Sequence, residues 1–104
     1  MAISAVLEAR STTILGNMEN LARNASKGAH KVANKPASQG SLTPADKLAI
    51  RVFQKQEKLA KAKRNSYLGK FEEFRINHDE EGFAVTLEAA GAEYKKMRQV
   101  FKKH

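Results

Sequence analysis

Cysteine and tryptophan are absent from this 104-residue chain, proline occurs twice, and aromatic residues make up 7% of it. Without cysteine there is no disulfide framework, no thiolate zinc site and no cysteine nucleophile, and the chain suits a reducing compartment. Few aromatics and a mean hydropathy of -0.56 imply a thin core. At roughly 25 cal/mol per Å² of apolar surface buried, such a core gains little over chain entropy, so association with another molecule would add useful stability. No apolar run approaches the ~18 residues of a membrane span. Glu8 and Arg10 interrupt the apolar N-terminus before the core of a signal peptide can form. No signal peptide and no membrane span are therefore expected, and the location expected is cytoplasmic or within a complex assembled inside the cell. The sequon Asn24-Ala25-Ser26 then reads as a chance match, because no secretory signal precedes it.

What the chain does have is helical periodicity. Phe83, Leu87, Ala90, Tyr94, Met97 and Phe101 are spaced 4, 3, 4, 3 and 4, which lays all six along one stripe of a helix. Leu7, Ser11, Ile14, Met18, Leu21 and Ala25 repeat that spacing with softer residues at some steps. Each ladder suits either the core of a small bundle or a seam for another chain. In the second case the partner-binding residues are Leu7, Ile14, Met18 and Leu21 at one end and Phe83, Leu87, Tyr94, Met97 and Phe101 at the other.

Start and stop signals divide the chain. An N-terminal amphipathic helix is predicted within residues 1–26, at about 4–25. Gly28 and the Asn34–Ser41 stretch, with Pro36 at its centre, then predict a flexible linker over 27–42. The sharpest local signal follows: Thr43 can cap, Pro44 is preset for the first helical position, and Asp46 stands beside the free amides. A second helix is predicted from there to about Ile76, with Leu48, Val52, Phe53, Leu59, Tyr67, Leu68, Phe71 and Phe74 on a stripe that drifts around it. Residues 77–82 break the pattern. Asn77 or Asp79 is placed to cap a third helix, with Glu80 and Glu81 at its positive end and Lys102 and Lys103 at its negative end.

The fold expected is all-α: an antiparallel helical hairpin of about 43–76 and 79–102, plus the N-terminal helix. That helix either completes a three-helix bundle or reaches out to another molecule in a coiled-coil-like assembly. On this division the 43–104 hairpin is expected to stay folded when residues 1–34 are removed.

The net charge of +8 is unevenly placed. Residues 1–42 carry +3, residues 43–75 carry +5 and residues 76–104 are neutral. Between Lys47 and Arg64 the one acid after Asp46 is Glu57, set against Lys47, Arg51, Lys55, Lys58, Lys61, Lys63 and Arg64. The first five follow at i, i+4, i+8, i+11 and i+14, so they line one helix flank able to track a phosphate backbone or meet an acidic protein surface. No aromatic on that flank is placed to stack a base.

One spacing resembles a calcium loop. Asn77, Asp79, Glu81, Gly82 and Glu88 fall at positions 1, 3, 5, 6 and 12. Three features depart from that pattern: Asn77 stands where Asp is wanted, Glu81 where a short Asp or Asn is wanted, and Ala84 where a β-branched residue is wanted. An acidic helix start explains the same residues, and no metal site is expected.

Enzymatic chemistry finds no constellation. His30, His78 and His104 fall in the linker, the turn and the terminus, without an i, i+4 partner for zinc. There is no phosphate loop, no dinucleotide fingerprint and no nucleophile elbow. The expectation is a non-enzymatic, cofactor-free helical interaction protein: a small adaptor, a chaperone-like factor or a structural subunit, with a protein partner or self-association. A small basic nucleic-acid-binding accessory protein is the alternative.

Overall fold

The computed structural model describes residues 2–35 and 40–102. They form three α-helices: α1 (Ala5–Ala33), α2 (Pro44–Ile76) and α3 (Glu80–Lys102). Pro36, Lys103 and His104, to which the sequence assigns a linker breaker, a helix-end charge and a surface histidine, lie outside the described residues.

Each helix begins on an oxygen that takes up a free amide. The Ser4 hydroxyl accepts the Leu7 N–H at 3.3 Å at the start of α1. Thr43 and Asp46 form the reciprocal capping box expected of them. The Asp46 N–H donates to Thr43 Oγ1 at 3.1 Å, and the Thr43 N–H donates to Asp46 Oδ2 at 3.0 Å. Of the two residues placed to cap α3, Asp79 does so, its Oδ1 accepting the Gly82 N–H at 2.9 Å. Asn77 instead closes α2. There His78 adopts a left-handed φ of 54°, and the His78 and Asp79 amides donate back to the Arg75 and Phe74 carbonyls. That double reach-back is a Schellman ending, with histidine where glycine is usual.

α1 and α2 run antiparallel, because Glu8 meets Arg75, Glu19 meets Arg64 and Gly28 meets Phe53 in opposite chain directions. α3 returns along α2, with Phe83 against Phe71 and Glu93 beside Lys63. The outcome is an all-α bundle, and its largest interface joins α1 to α2 rather than α2 to α3. α1 also runs further than predicted: residues 27–33, expected in the linker, are helical. Gly28 does not break the helix because it serves as a contact surface. A β-carbon there would stand 2.7 Å from the Phe53 ring.

Met18, Phe71 and Phe83 are fully buried, and the small residues Ala22, Ala60 and Ala90 are buried with them. The Phe71 and Phe83 rings lie 4.8 Å apart between centroids and tilted by 39°. Each large side chain buried this way stabilises the fold by about 1.5–3 kcal/mol. Ser11, the weak step of the first ladder, is buried without loss because its hydroxyl donates to the Glu8 carbonyl at 2.7 Å. The α2 stripe is only partly used. Leu48, Leu59, Leu68 and Ile76 stay exposed, because a stripe that drifts around a long helix outruns its cover.

The molecule is a rod of 61 × 19 × 18 Å. At 1.5 Å per residue α2 is about 50 Å long and α3 about 35 Å, so α3 leaves the tip formed by α1 and α2 uncovered. No helix among the described residues is long and apolar enough to cross a membrane.

Candidate functional site

Both apolar ladders are used inside the chain. Met18, Phe83, Leu87 and Met97 are buried in the core, and Leu7, Ile14, Leu21, Tyr94 and Phe101 pack half-buried against it. The nine residues expected on a partner-binding seam thus hold α1 and α3 to this chain's own core.

The run of seven cations divides in two. Lys61 pairs with Glu57 at 3.5 Å, Lys63 with Glu93 at 3.7 Å, and Arg64 Nε faces Glu19 at 3.9 Å. These three lie in ion pairs, two of them across helix interfaces. Lys47, Arg51, Lys55 and Lys58 are exposed, and no carboxylate of the described residues lies within ion-pair distance of them. Arg51, Lys55 and Lys58, together with Gln54, line a shallow hollow on the outer side of α2.

Folding then adds to this cluster. The α1 tail brings Lys27 and Lys31 to the same end of the rod, and the α3 tail brings Lys95, Lys96, Arg98 and Lys102. Residues 23–63 and 93–102 hold fourteen Lys and Arg against three carboxylates, a net of +11. Residues 2–22 and 64–92 hold four against eight, a net of −4. The rod is electrically polar along its length. Sequence thirds conceal this, because the antiparallel return of α3 folds its neutral total into an acidic start and a basic end.

Apolar surface remains exposed within the basic half. Leu59, Met97 and Val100 line a groove between α2 and α3 of 300 Å³, with Lys63, Glu93 and Lys96 at its sides. Further along α2, Ala45, Leu48, Ala49, Val52 and Phe53 line a second hollow of 210 Å³ where α3 has ended. Leu48, Val52 and Leu59 are four and seven residues apart, so one helix face carries them all. Leu48 is 60%, Val100 48% and Leu59 43% exposed. The sequence placed Leu48 and Leu59 in the core stripe. Leu48 is left over because α3 ends before reaching it, and Leu59 because it lies at the edge of the α2–α3 contact.

The calcium-loop spacing does not become a loop. Glu81 and Glu88 lie on α3 two turns apart, and Asp79 is engaged in capping. Among the described residues no group of three or more His, Asp or Glu side chains gathers to hold a metal ion. His30 is exposed on the last turn of α1 and His78 is exposed in the turn before α3.

Two ion pairs fasten the ends. Arg75 grips the Glu8 carboxylate through two hydrogen bonds of 2.8 and 3.0 Å, and that carboxylate raises the guanidinium above its already high value. Lys35 donates to Asp46 at 3.0 Å. The Thr43 amide, and then Lys35, hold the Asp46 carboxyl below the usual aspartate value. Burial pushes the Tyr67 phenol up, with the charge of Glu93 adding to it. All three effects accompany structural contacts.

No family model matches this chain, and neither a curated protein nor a solved structure matches it.

Proposed function

We propose that this chain is a non-enzymatic helical interaction protein, a small adaptor, chaperone-like factor or structural subunit, that binds through its basic half. The observation that carries this reading is the coincidence, at one end of the rod, of exposed Leu48, Leu59 and Val100 with Lys47, Arg51, Lys55 and Lys58, which have no ion-pair partner among the described residues. An apolar centre with a charged rim is the anatomy of a protein interface. The centre supplies affinity, and the rim supplies approach rate and orientation. The test is mass by light scattering across a dilution series, with and without nucleic acid. Mass that rises with protein concentration, or with an added protein partner, and is indifferent to nucleic acid supports the reading. A monomer at every concentration that binds only nucleic acid rejects it.

The second reading is a nucleic-acid-binding accessory protein. It is favoured by the four unpaired cations spaced along one flank of α2, which fit a line of phosphates. On that reading Lys47→Gln, Lys55→Gln and Lys58→Gln together lower the salt slope of binding by roughly one for each phosphate that no longer meets a cation. Unchanged binding by the triple variant rejects it.

A further inference from the structure

We infer that the two hollows along α2, one lined by Ala45, Leu48 and Val52 and the other by Leu59 and Lys63 with Val100 of α3, together take an acidic amphipathic helix from another protein. This rests on the interaction-protein reading and names the partner of that surface.

Its shape sets the length of the occupant. From Ala45 to Lys63 α2 covers about 27 Å, which matches a helix of about 18 residues lying alongside it. Leu48, Val52, Leu59 and Val100 offer the partner an apolar stripe, and none of them has a covering element of its own over its exposed part. A helix laid there packs beside α3 at the level of Leu59 and Val100 and continues past the end of α3 over Leu48.

Charge selects the occupant. Arg51, Lys55 and Lys58 stand along one edge of the stripe, and Lys63 and Lys96 along the other, with Glu93 already paired to Lys63. Carboxylates flanking the apolar face of the incoming helix would meet cations on both sides. A second copy of this chain is a poorer match, since its acidic half offers −4 against +11 and leaves most of the positive field unanswered. A nucleic-acid backbone satisfies the cations but leaves three exposed aliphatic side chains against hydrated phosphates. The exposed hydrophobic side chains of this end, Leu48, Leu59 and Val100, include no aromatic to stack a base.

The experiment uses the full chain and a fluorescent synthetic peptide of about 18 residues, with leucines on one helical stripe and glutamates flanking it. The controls are a peptide of the same composition in scrambled order and a single-stranded oligonucleotide. At ~0.1 M salt the patterned peptide is expected to bind at least tenfold tighter than the scrambled one. The double variant Leu48→Ser, Leu59→Ser is expected to lose that advantage while keeping the wild-type melting temperature, since both positions are exposed. Lys55→Gln with Lys58→Gln is expected to weaken binding and flatten its salt dependence. Equal binding of the two peptides overturns the proposal, because charge alone would then be at work. So does full affinity in the serine variant, or an oligonucleotide that displaces the peptide and binds the serine variant as well as wild type. A homodimer abolished by the serine changes, with no peptide binding, overturns the external partner and leaves the interaction-protein reading standing. Absence of both peptide binding and any mass change removes both.

Discussion

The ring of Phe53 lies directly over Gly28, so that a β-carbon at position 28 would stand 2.7 Å from Cε1 and 2.8 Å from Cζ of that ring. Gly82 serves Phe74 in the same manner on α3, at 2.5 Å. Two phenylalanines of α2 thus reach the backbone of their neighbouring helices, one at each end of the rod. Gly16, within α1, has nothing within 4 Å of the corresponding point. Gly16→Ala is therefore expected to raise stability by about 0.5–1 kcal/mol, the helix-propensity difference alone. Gly28→Ala meets the ring, and overpacking of about 1–3 kcal/mol outweighs that gain. Thermal melts of the two variants should move in opposite directions. Equal increases would show that the ring swings aside freely and that the contact does not fix the α1–α2 distance.

α1 packs most extensively against α2, which bears on whether α2 and α3 can fold without it. Met18 and Ala22 of α1 belong to the same buried cluster as Phe71 and Phe83, so the α2–α3 pair lacks one wall of its core without them. Removal of residues 1–34 is expected to abolish cooperative unfolding, and Met18→Ala to cost about 2–5 kcal/mol. Leu87→Asp, which puts a charge into the same core, is expected to unfold the chain. A sharp melting transition in the truncated chain would show that α2 and α3 fold alone.

The parts of this fold legible in the sequence are those written in local chemistry. Thr43, Pro44 and Asp46 mark the start of α2 to the residue, and the 4-3 ladders name the buried faces of α1 and α3 correctly. Gly28 misleads, because a glycine that ends a helix and a glycine that receives a ring look alike until Phe53, 25 positions on, is placed against it. The candidate site is less legible still. Which of seven cations are free depends on Glu19 and Glu93 arriving from other helices. The exposure of Leu48 depends on where α3 stops, which nothing near Leu48 records.

Acid should loosen the link between α1 and α2. The folded-state value of Asp46 lies below that of an unfolded aspartate, about 3.9, because the Thr43 amide and Lys35 favour its charged form. Its stabilisation is thus fully present above the unfolded value and is lost as the pH falls through the folded one. Asp46→Asn should melt below wild type at pH 7, and the gap should close at pH values below the folded value of Asp46. A gap that persists in strong acid would mean that the capping geometry, rather than the charge, supplies the benefit.

His78 sits at a φ of 54°, a region that charges an ordinary side chain about 1–2 kcal/mol. Glycine removes that penalty and adds back about 0.5–1 kcal/mol of unfolded-chain entropy. His78→Gly is therefore expected to stabilise the protein by about 0.5–1 kcal/mol, read by urea denaturation. A loss of stability would reveal an interaction of the imidazole that outweighs the backbone penalty.

Gln56 is 7% exposed and its Nε2 has no hydrogen-bond partner among the described residues. It lies four residues before Ala60, near the level where α3 ends and the bundle narrows from three helices to two. A buried donor left unpaired costs about 1–3 kcal/mol, whereas an apolar side chain of similar size carries no such penalty. Gln56→Leu is accordingly expected to stabilise the fold by about 1–2 kcal/mol, which for a chain of this size raises Tm by roughly 4–8 °C per kcal/mol. Gln56→Glu should do the opposite, since it sets an unpaired charge in the same place. A drop in Tm for Gln56→Leu would show that the amide is satisfied in solution, by ordered water at this junction, and that polarity there is part of how the core ends.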